Sequence, residues 1–252
     1  MNTNSDPLTI TFVDASYLPL LELWLPQLTR LGVDHLRVFC LDEATLGWCR
    51  SRGVAAEQIA WSGDFRDLWV QRIRVFSALL AAGQDFVHSD VDAIWLKNSL
   101  REGSAAGCGD DLVFSQGTVW PPDVHDKWGF VLCCGWFRAR PTLAARAFFE
   151  QLALEVGHTG DDQISVNRLL SQLGARWGGG RTGEYQLALR DRAVQCWTRP
   201  VRATVGPLSV ALLPHREFQR LPEESPHAIV KHYLTPKNCE QKIRTLRQLG
   251  LI

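Results

Sequence analysis

The sequence predicts an α/β protein built on a mainly parallel sheet with helices on its faces. Short β-rich runs alternate with amphipathic helical runs through the N-terminal third of the chain, which is the pattern of a parallel, doubly wound sheet. Aspartates follow the predicted strands, namely Asp14, Asp42 and the pair Asp90 and Asp92. Ligands of such sheets bind beyond the carboxyl ends of the strands, so these acids mark the expected site.

The composition is that of an ordinary globular protein, with 252 residues, 46% of them hydrophobic and 21% charged. That length accommodates one large α/β domain or two small ones. Because no linker divides the chain, we expect a single domain over residues 1–252. Lys and Arg, 27 together, balance 27 Asp and Glu, so no overall charge favours nucleic acid or an anionic membrane.

The cysteines and the apolar runs bear on the cellular compartment. The seven cysteines are odd in number and include no CxxC pair, which predicts reduced, mostly buried thiols and argues against a zinc site. The polar segment 1–7 lacks the basic and apolar runs of a signal peptide. No apolar run has the length of a membrane span. We therefore expect a cytoplasmic protein.

The N-terminal elements follow from apolar periodicity and from turn residues. β-branched and aromatic residues cluster in the strand segments, and apolar residues recur at helical spacing between them. A proline inside a helical run is expected to kink the helix. The predicted elements are strand 8–13, helix 17–31 with a kink at Pro26, strand 36–41, helix 43–52 and strand 59–61.

The next predicted helix, residues 65–82, begins after Asp64 as its N-cap. On a helical wheel Arg72 lies in the middle of the apolar face, which also carries Phe65 and Phe76. A buried arginine needs a carboxylate, a phosphate or carbonyl groups as its partner, because an unpaired buried charge is costly. Arg72 is therefore a candidate site residue, and the alternative is an arginine that extends to the rim of the helix.

A buried strand around Phe86 leads into the stretch HSDVDAIWLK, residues 88–97. Side chains two apart in an extended segment point the same way, so we expect Asp90 and Asp92 to aim at one point. Two carboxylates that converge at a strand end suit a hard divalent cation, Mg²⁺ or Mn²⁺. The alternative is that both aspartates cap a turn in solvent.

The C-terminal half is less regular, and three of its features bear on a site. Gly135 interrupts a long predicted strand, which indicates a bulge or the close approach of a ligand. Asp161 is expected to cap a helix on which Gln163 and Asn167 share a face. The predicted elements are strand 111–115, loop 116–127, strand 128–139, helix 141–156, helix 161–173, a glycine-rich loop 177–183, strands 193–205, 208–213 and 228–232, and a helix from Pro236.

In the order of its motifs the chain resembles the nucleotide-diphospho-sugar transferases, which are glycosyltransferases of the GT-A fold. The pattern resembles glycosyltransferase family 77 most, with features of family 8. The matching motifs are FVDASY (12–17), DFVHSDVDAIWL (85–96), CGWF (134–137), DDQ (161–163) with Asn167, and HYLTPK (232–237). The resemblance implies a mixed, mainly parallel sheet, with a nucleotide-binding half over about 8–100 and an acceptor-binding half over about 101–252.

The resemblance also implies roles for individual residues. Asp90, Asp92 and His232 would hold Mn²⁺ or Mg²⁺ against the diphosphate of a sugar nucleotide; the alternative for His232 is a core histidine at a strand end. The expected donor-binding residues are Asp14, Ala15, Tyr17, Arg72, Asp90 and Lys237. Asp162 and Gln163 are the expected catalytic residues. The expected acceptor-binding residues are Gly135, Trp136, Trp128 and Asn167, with Trp120 and Trp177 as further candidate platforms for a sugar ring.

We therefore expect a metal-dependent, retaining glycosyltransferase that acts on a nucleotide-diphosphate sugar, with uridine diphosphate as the expected carrier. The expected acceptor is a glycan, a lipid-linked molecule or a protein, and building a surface polysaccharide is one use for such an enzyme. A metal-dependent phosphohydrolase or nucleotidyltransferase would use the same aspartates and form no acceptor product. An inactive carbohydrate-binding module is the third class, and it has no need of a carboxylate pair, an inward arginine and a C-terminal histidine together.

Overall fold

A nine-stranded mixed sheet runs through the computed structural model, which describes residues 6–178 and 184–252. The N-terminal half supplies the strands and helices that were expected from its alternating pattern. Its elements are β1 (Leu8–Val13), a 3₁₀ turn (Ala15–Tyr17), α1 (Leu18–Arg30), β2 (Leu36–Cys40), α2 (Glu43–Ser51), β3 (Ala56–Gln58), α3 (Phe65–Ala81), β4 (Phe86–Ser89) and β5 (Ile94–Trp95).

The C-terminal half adds the antiparallel part of the sheet and three long helices. Its elements are α4 (Gly103–Ala106), β6 (Leu112–Gln116), α5 (Pro122–Trp128), β7 (Leu132–Ala139), α6 (Leu143–Thr159), α7 (Asp162–Gln172), β8 (Arg176–Gly178), β9 (Glu184–Leu189), β10 (Arg192–Trp197), β11 (Val201–Val205), β12 (Leu208–Leu212), β13 (Phe218–Gln219), β14 (Val230–Lys231) and α8 (Cys239–Gln248).

The strand order places the ends of the early strands side by side. In the main sheet it is β3-β2-β1-β4-β7-β6-β12-β11-β8, with β3, β2, β1 and β4 parallel. β7 runs antiparallel between β4 and β6. A small second sheet pairs β14 with β13 and with β5. The predicted mixed α/β architecture is confirmed, and the residues that follow β1 and β4 lie at one edge of the sheet.

Helices cover both faces of the sheet. α3, α6 and α7 pack on one face around Phe76, and α1, α2 and α8 pack on the other around Trp24. Phe76 stacks on Phe86 and meets Phe137 edge to face, with ring centroids 5.3 and 5.1 Å apart. Truncating a phenylalanine in such a core costs about 3–5 kcal/mol, so this packing holds α3 firmly against the strands that carry the site.

The caps of the helices follow the sequence signals. Asp64 accepts a hydrogen bond from Arg66 N at the start of α3, and Asp161 accepts one from Ile164 N at the start of α7. Both predicted N-caps are therefore confirmed. Pro26 lies inside α1, which is continuous from Leu18 to Arg30.

Several predicted elements need correction. β3 lies at residues 56–58 rather than 59–61. The segment expected as a loop contains α5, because Pro122 occupies the first turn, where a proline needs no hydrogen-bond donor. α5 ends at Gly129, with φ at +81°, so β7 starts only at Leu132. β9 was not expected, and the run 193–205 holds nearly all of β10 and all of β11.

Phe65 was expected on the buried face of α3, and this is wrong. Its side chain is 66% exposed, since the first turn of α3 extends past the core and Leu68 is the first buried residue of the helix. Of the predicted glycine-rich loop, Trp177 and Gly178 belong to β8, and 179–183 lies outside the described residues.

The cysteines and the helices bear on the expected compartment. All seven cysteines are free thiols, and every one except Cys239 is buried, as the sequence predicted. Among the helices of the described residues, none combines the length and the apolar character that crossing a membrane requires.

Candidate active site

Asp90, Asp92 and His232 meet at the carboxyl end of β4. One ligand atom of each lies within 4.8 Å of the others, and His232 Nε2 is 3.2 Å from Asp92 Oδ1 and 3.8 Å from Asp90 Oδ2. Strand pairing brings the distant histidine here, because Lys231 lies opposite Ile94 and His232 follows next to the aspartates. Two carboxylates and an imidazole that share one point can hold a divalent cation.

The two aspartates converge through a turn and not through an extended strand. β4 ends at Ser89, and Ala93 N donates to Asp90 O at 3.0 Å, which closes the turn. Asp90 N donates to Gly135 O at 2.8 Å on the neighbouring strand. The expectation from strand alternation is therefore wrong in its geometry, although both side chains reach the same place.

Gly135 lies against the side chains of His232 and Asp90. The register of β6 against β7 shifts between Phe114 and Ser115, so β7 bulges at this point. A Cβ added to Gly135 would lie 2.0 Å from His232 Cε1 and 2.8 Å from Asp90 Oδ2. The absence of a side chain is therefore what lets the histidine and the aspartate approach each other.

Arg72 joins the metal-ligand group to a third carboxylate. Its guanidinium is buried, with Nη2 3.2 Å from Asp162 Oδ2 and Nη1 3.5 Å from Asp90 Oδ1. Nη2 also lies 2.7 Å from His88 Nε2 and donates to Cys134 O at 3.4 Å. Arg72 therefore bridges two acids of the site, as an inward arginine requires.

Burial and charge set the protonation of these groups. Burial opposes the ionisation of Asp90, but the adjacent His88 side chain and the charge of Arg72 hold the pKa of Asp90 below its usual range. Burial raises the pKa of Asp162 to about 6, with Arg72 offsetting part of the effect. Burial and the Arg72 charge lower the pKa of His88 to about 4, so that ring is neutral at pH 7.

Asp92 is held by two basic side chains. Burial opposes its ionisation, but His232 and Lys242 together hold the pKa of Asp92 below its usual range. Burial and Arg220 act against protonation of His232, yet Asp92 outweighs them and raises the pKa of His232 to about 9. A metal ion bound here would displace that proton, because a ligating histidine is neutral.

The lysine that contacts the site is Lys242, which was not predicted, and not Lys237. Lys242 is buried, and its Nζ contacts Asp92 Oδ2 and donates to Thr235 Oγ1 at 2.7 Å. Lys237 is exposed, and its backbone carbonyl accepts from Tyr17 Oη at 2.6 Å. One signal in the sequence pointed to Lys242, since it lies four residues before the buried Leu246 on the same face of α8.

The predicted nucleotide-binding residues Asp14, Ala15 and Tyr17 lie in the turn that follows β1. Asp14 accepts a hydrogen bond from Tyr17 N at 3.2 Å, and Ala15 N donates to Asp42 Oδ2 at 2.7 Å. Burial, with the charge of Asp92 next in order, raises the pKa of the Tyr17 phenol to about 12. This turn follows β1, whose parallel neighbour β4 leads into Asp90 and Asp92.

The start of α7 carries the candidate catalytic residues. Asp162 is 5% exposed, and Gln163 Nε2 donates to Trp120 O at 2.8 Å. The prediction that Asn167 binds the acceptor is wrong, because this side chain is fully buried. Its amide accepts from Leu132 N at 2.8 Å and donates to Leu132 O at 2.9 Å, which fastens β7 to α7.

The tryptophans range from fully buried to exposed. Trp136 is 1% exposed, and its ring packs 4.5 Å from that of Phe218, so the prediction that it stacks on an acceptor is wrong. Trp128 is half-buried and packs against Trp177, with ring centroids 5.5 Å apart. Trp120 is 54% exposed, and its backbone carbonyl accepts the hydrogen bond from Gln163.

The family model described as nucleotide-diphospho-sugar transferase matches residues 31–246. The chain belongs to this family. Its fold is similar to that of GT-A glycosyltransferases, and Asp90, Asp92 and His232 form a group that could hold a metal ion.

Individual relatives are distant. The chain is similar to Arabinosyltransferase RRA2 of Arabidopsis thaliana, with 24% identity over 170 residues, or 57% of this chain and 39% of that protein. The glycosyltransferase GlyE of Streptococcus pneumoniae TIGR4 has a similar fold, with TM-score 0.54, 12% identity, and coverage of 93% of this chain and 56% of that one. The chain therefore spans 39% and 56% of these two relatives.

A second similar structure matches over nearly its whole length. It is the galactosyltransferase LgtC in complex with donor and acceptor sugar analogues, with TM-score 0.53 and 13% identity. The match covers 96% of this chain and 95% of that chain. At this identity the likeness shows a shared fold.

Gly135→Ala tests the metal-ligand group without changing the rest of the fold. The added methyl group forces the His232 ring away from Asp90, so we expect Mn²⁺ affinity to fall by roughly tenfold or more. Electron paramagnetic resonance of free Mn²⁺ during titration measures this affinity. The matched control is Gly157→Ala in α6, where an added Cβ meets nothing within 4 Å. Equal affinities of Gly135→Ala and the wild type would show that His232 does not bind the ion.

Proposed function

We propose that this chain is a retaining, metal-dependent transferase that moves a hexosyl or pentosyl group from a uridine-diphosphate sugar to a glycan, lipid-linked or protein acceptor. The observation that carries the proposal is the meeting of Asp90, Asp92 and His232 within 4.8 Å in a chain of this family. Support for a two-substrate site comes from LgtC, whose structure holds donor and acceptor sugar analogues. RRA2, named as an arabinosyltransferase, supports a pentosyl group as one candidate.

The ligand set favours Mn²⁺ or Mg²⁺ over softer metals. Asp90 and Asp92 offer carboxylate oxygens, and His232 adds one imidazole nitrogen. Oxygen-rich sets suit Mg²⁺ and Mn²⁺, while thiolate sets suit zinc. A bound divalent ion would neutralise negative charge on the departing diphosphate.

The chain's own cations lie where a leaving diphosphate would gain charge. The ammonium group of Lys242 contacts Asp92 and donates a hydrogen bond to Thr235. A phosphate oxygen beside Asp92 would bring another acceptor to this ammonium, which forms strong, charge-assisted hydrogen bonds. We therefore assign the diphosphate contact to Lys242 in place of Lys237.

Asp162 is the candidate for the carboxylate that faces the anomeric carbon. Because its pKa is raised only to about 6, the group is mostly ionised at pH 7. Arg72 holds it through the 3.2 Å contact and fixes its direction. A carboxylate there stabilises the positive charge that develops on a sugar ring as its glycosidic bond breaks. Gln163, the next residue, is the candidate polar neighbour on the acceptor side.

The free thiols support the expected compartment. All seven cysteines are unpaired, and unpaired thiols persist where the environment is reducing. The proposed location is therefore the cytoplasm. A role in the synthesis of a surface polysaccharide is the proposed use.

Transfer assays with labelled nucleotide sugars test the proposed function. Incubation with Mn²⁺ and a panel of uridine-diphosphate sugars should release uridine diphosphate, with the sugar passing to water or to an added glycan. Chelation should abolish turnover, and added Mn²⁺ should restore it. Asp92→Asn should reduce turnover by roughly 100-fold or more, with a circular dichroism spectrum at the assay temperature that shows the variant is still folded.

Two results would contradict this function. Release of inorganic phosphate or nucleoside monophosphate without a free or transferred sugar would indicate the phosphohydrolase class. Binding of nucleotide sugar or glycan, with no turnover of any donor by the folded protein, would indicate a binding module.

Lys242→Met tests which lysine faces the diphosphate. Loss of one charge-assisted contact should weaken uridine diphosphate binding in the presence of Mn²⁺ by about tenfold. Isothermal titration calorimetry measures the affinity, and Lys237→Met on the exposed lysine is the control, with an expected change below about twofold. A large loss in Lys237→Met together with a normal affinity in Lys242→Met would reverse the assignment.

A further inference from the structure

The two ring nitrogen atoms of His232 face different groups. Nε2 lies 3.2 Å from Asp92 Oδ1 and 3.8 Å from Asp90 Oδ2. Nδ1 lies 3.8 Å from the Sγ atom of Cys133, a residue of β7 that is 99 positions away in the sequence. Both side chains are buried, with 8% of His232 and 2% of Cys133 exposed. The imidazole ring therefore lies between the carboxylates and a sulfur atom.

Binding of a cation through Nε2 would determine where the ring proton of His232 lies. A neutral imidazole carries one proton, and the nitrogen atom that binds a metal ion cannot hold it. The proton is then on Nδ1, and a buried N–H group needs a hydrogen-bond acceptor. The Sγ atom of Cys133 faces Nδ1 at a distance that suits a sulfur acceptor.

Backbone hydrogen bonds hold both partners in this arrangement. Gly135 N donates to Cys133 Sγ at 3.4 Å, so this sulfur already acts as an acceptor. His232 N donates to Gln219 O at 2.8 Å, and Arg220 Nη1 donates to His232 O at 2.5 Å. Turning the ring over would exchange Nδ1 with Cδ2 and Nε2 with Cε1. The ring would then present carbon atoms to the sulfur and to the aspartates, so the sulfur contact favours the orientation that suits a metal ligand.

We propose that Cys133 is a positioning residue of the metal site. Its Sγ atom accepts a hydrogen bond from His232 Nδ1–H and so directs the lone pair of Nε2 towards the ion between Asp90 and Asp92. The inference rests on the metal dependence in the proposed function, and it adds a residue that supports a ligand without touching the ion. Acceptors of this kind fix the orientation of a ligating histidine and increase its basicity.

Mn²⁺ affinity tests this role without any measurement of turnover. Electron paramagnetic resonance of free Mn²⁺ during titration measures the affinity, and circular dichroism shows whether each variant is folded. Cys133→Ala removes the acceptor and should lower the affinity by roughly tenfold. This is the lower end of the range for such supporting contacts, because sulfur is a weak acceptor.

Three further variants separate the hydrogen bond from packing. Cys133→Val fills the space without an acceptor and should bind Mn²⁺ as weakly as Cys133→Ala. Cys133→Ser retains an acceptor and should recover roughly threefold of the lost affinity. The matched control is Cys196→Ala, because Cys196 is an equally buried thiol on β10 whose Sγ donates to Val194 O at 3.5 Å. This control should match the wild type.

Nuclear magnetic resonance locates the ring proton directly. In ¹H–¹⁵N spectra of histidine-labelled protein saturated with Mg²⁺, His232 should carry a proton on Nδ1 and none on Nε2. The signal is assigned by its loss in His232→Gln. Cys133→Ala should shift the Nδ1 proton upfield, because that proton loses its acceptor. A wild-type ring without a proton on Nδ1, or an unshifted signal in Cys133→Ala, would overturn the inference.

The affinity measurements separate failure of this inference from failure of the proposed function. If the wild type binds Mn²⁺ and Cys133→Ala binds it equally well, the inference is wrong while the metal-dependent transferase stands. The same holds if Cys133→Val restores the wild-type affinity, since packing would then be the role of Cys133. If the folded wild type binds no Mn²⁺ with or without uridine diphosphate, the metal dependence fails and this inference fails with it.

Discussion

Three carboxylates lie close together at the end of a buried strand, and the site depends on the basic side chains that hold them there. Arg72 lies between Asp90 and Asp162, and Lys242 contacts Asp92. Like charges at such distances repel, and breaking a buried ion pair by removing one partner costs about 3–5 kcal/mol. Each acid is therefore tolerated because a cation faces it. Because acidic and basic side chains are paired in this way, a divalent ion or a diphosphate that binds here would change these ion pairs.

The environments of these acids give them different tasks. Hydrogen bonds and cations keep the pKa of Asp90 and of Asp92 below the usual range, so both stay ionised. Burial moves the pKa of Asp162 the other way, to about 6. Carboxylates whose pKa values are moved apart by the fold take different roles in a reaction. The division here places cation binding at the end of β4 and the carboxylate for the reacting sugar at the start of α7.

Features that depend on neighbouring residues could be predicted from the sequence, whereas features that depend on distant pairing could not. Some features are local, because periodicity and capping chemistry determine them. They are the strand before Asp90, the caps Asp64 and Asp161, and the inward Arg72. The contact of Lys242 with Asp92 joins residues 150 positions apart and requires α8 to dock against α1. The exposure of Phe65 likewise depends on where the core ends, and a helical wheel does not show this.

Anomalous diffraction at the manganese edge tests the central claim most directly. Crystals grown with Mn²⁺ and uridine diphosphate should show one strong anomalous peak within bonding distance of Asp90, Asp92 and His232 Nε2, with diphosphate oxygens completing its coordination. A peak bound elsewhere, or an occupied nucleotide site with the His232 ring turned away from both aspartates, would contradict the account.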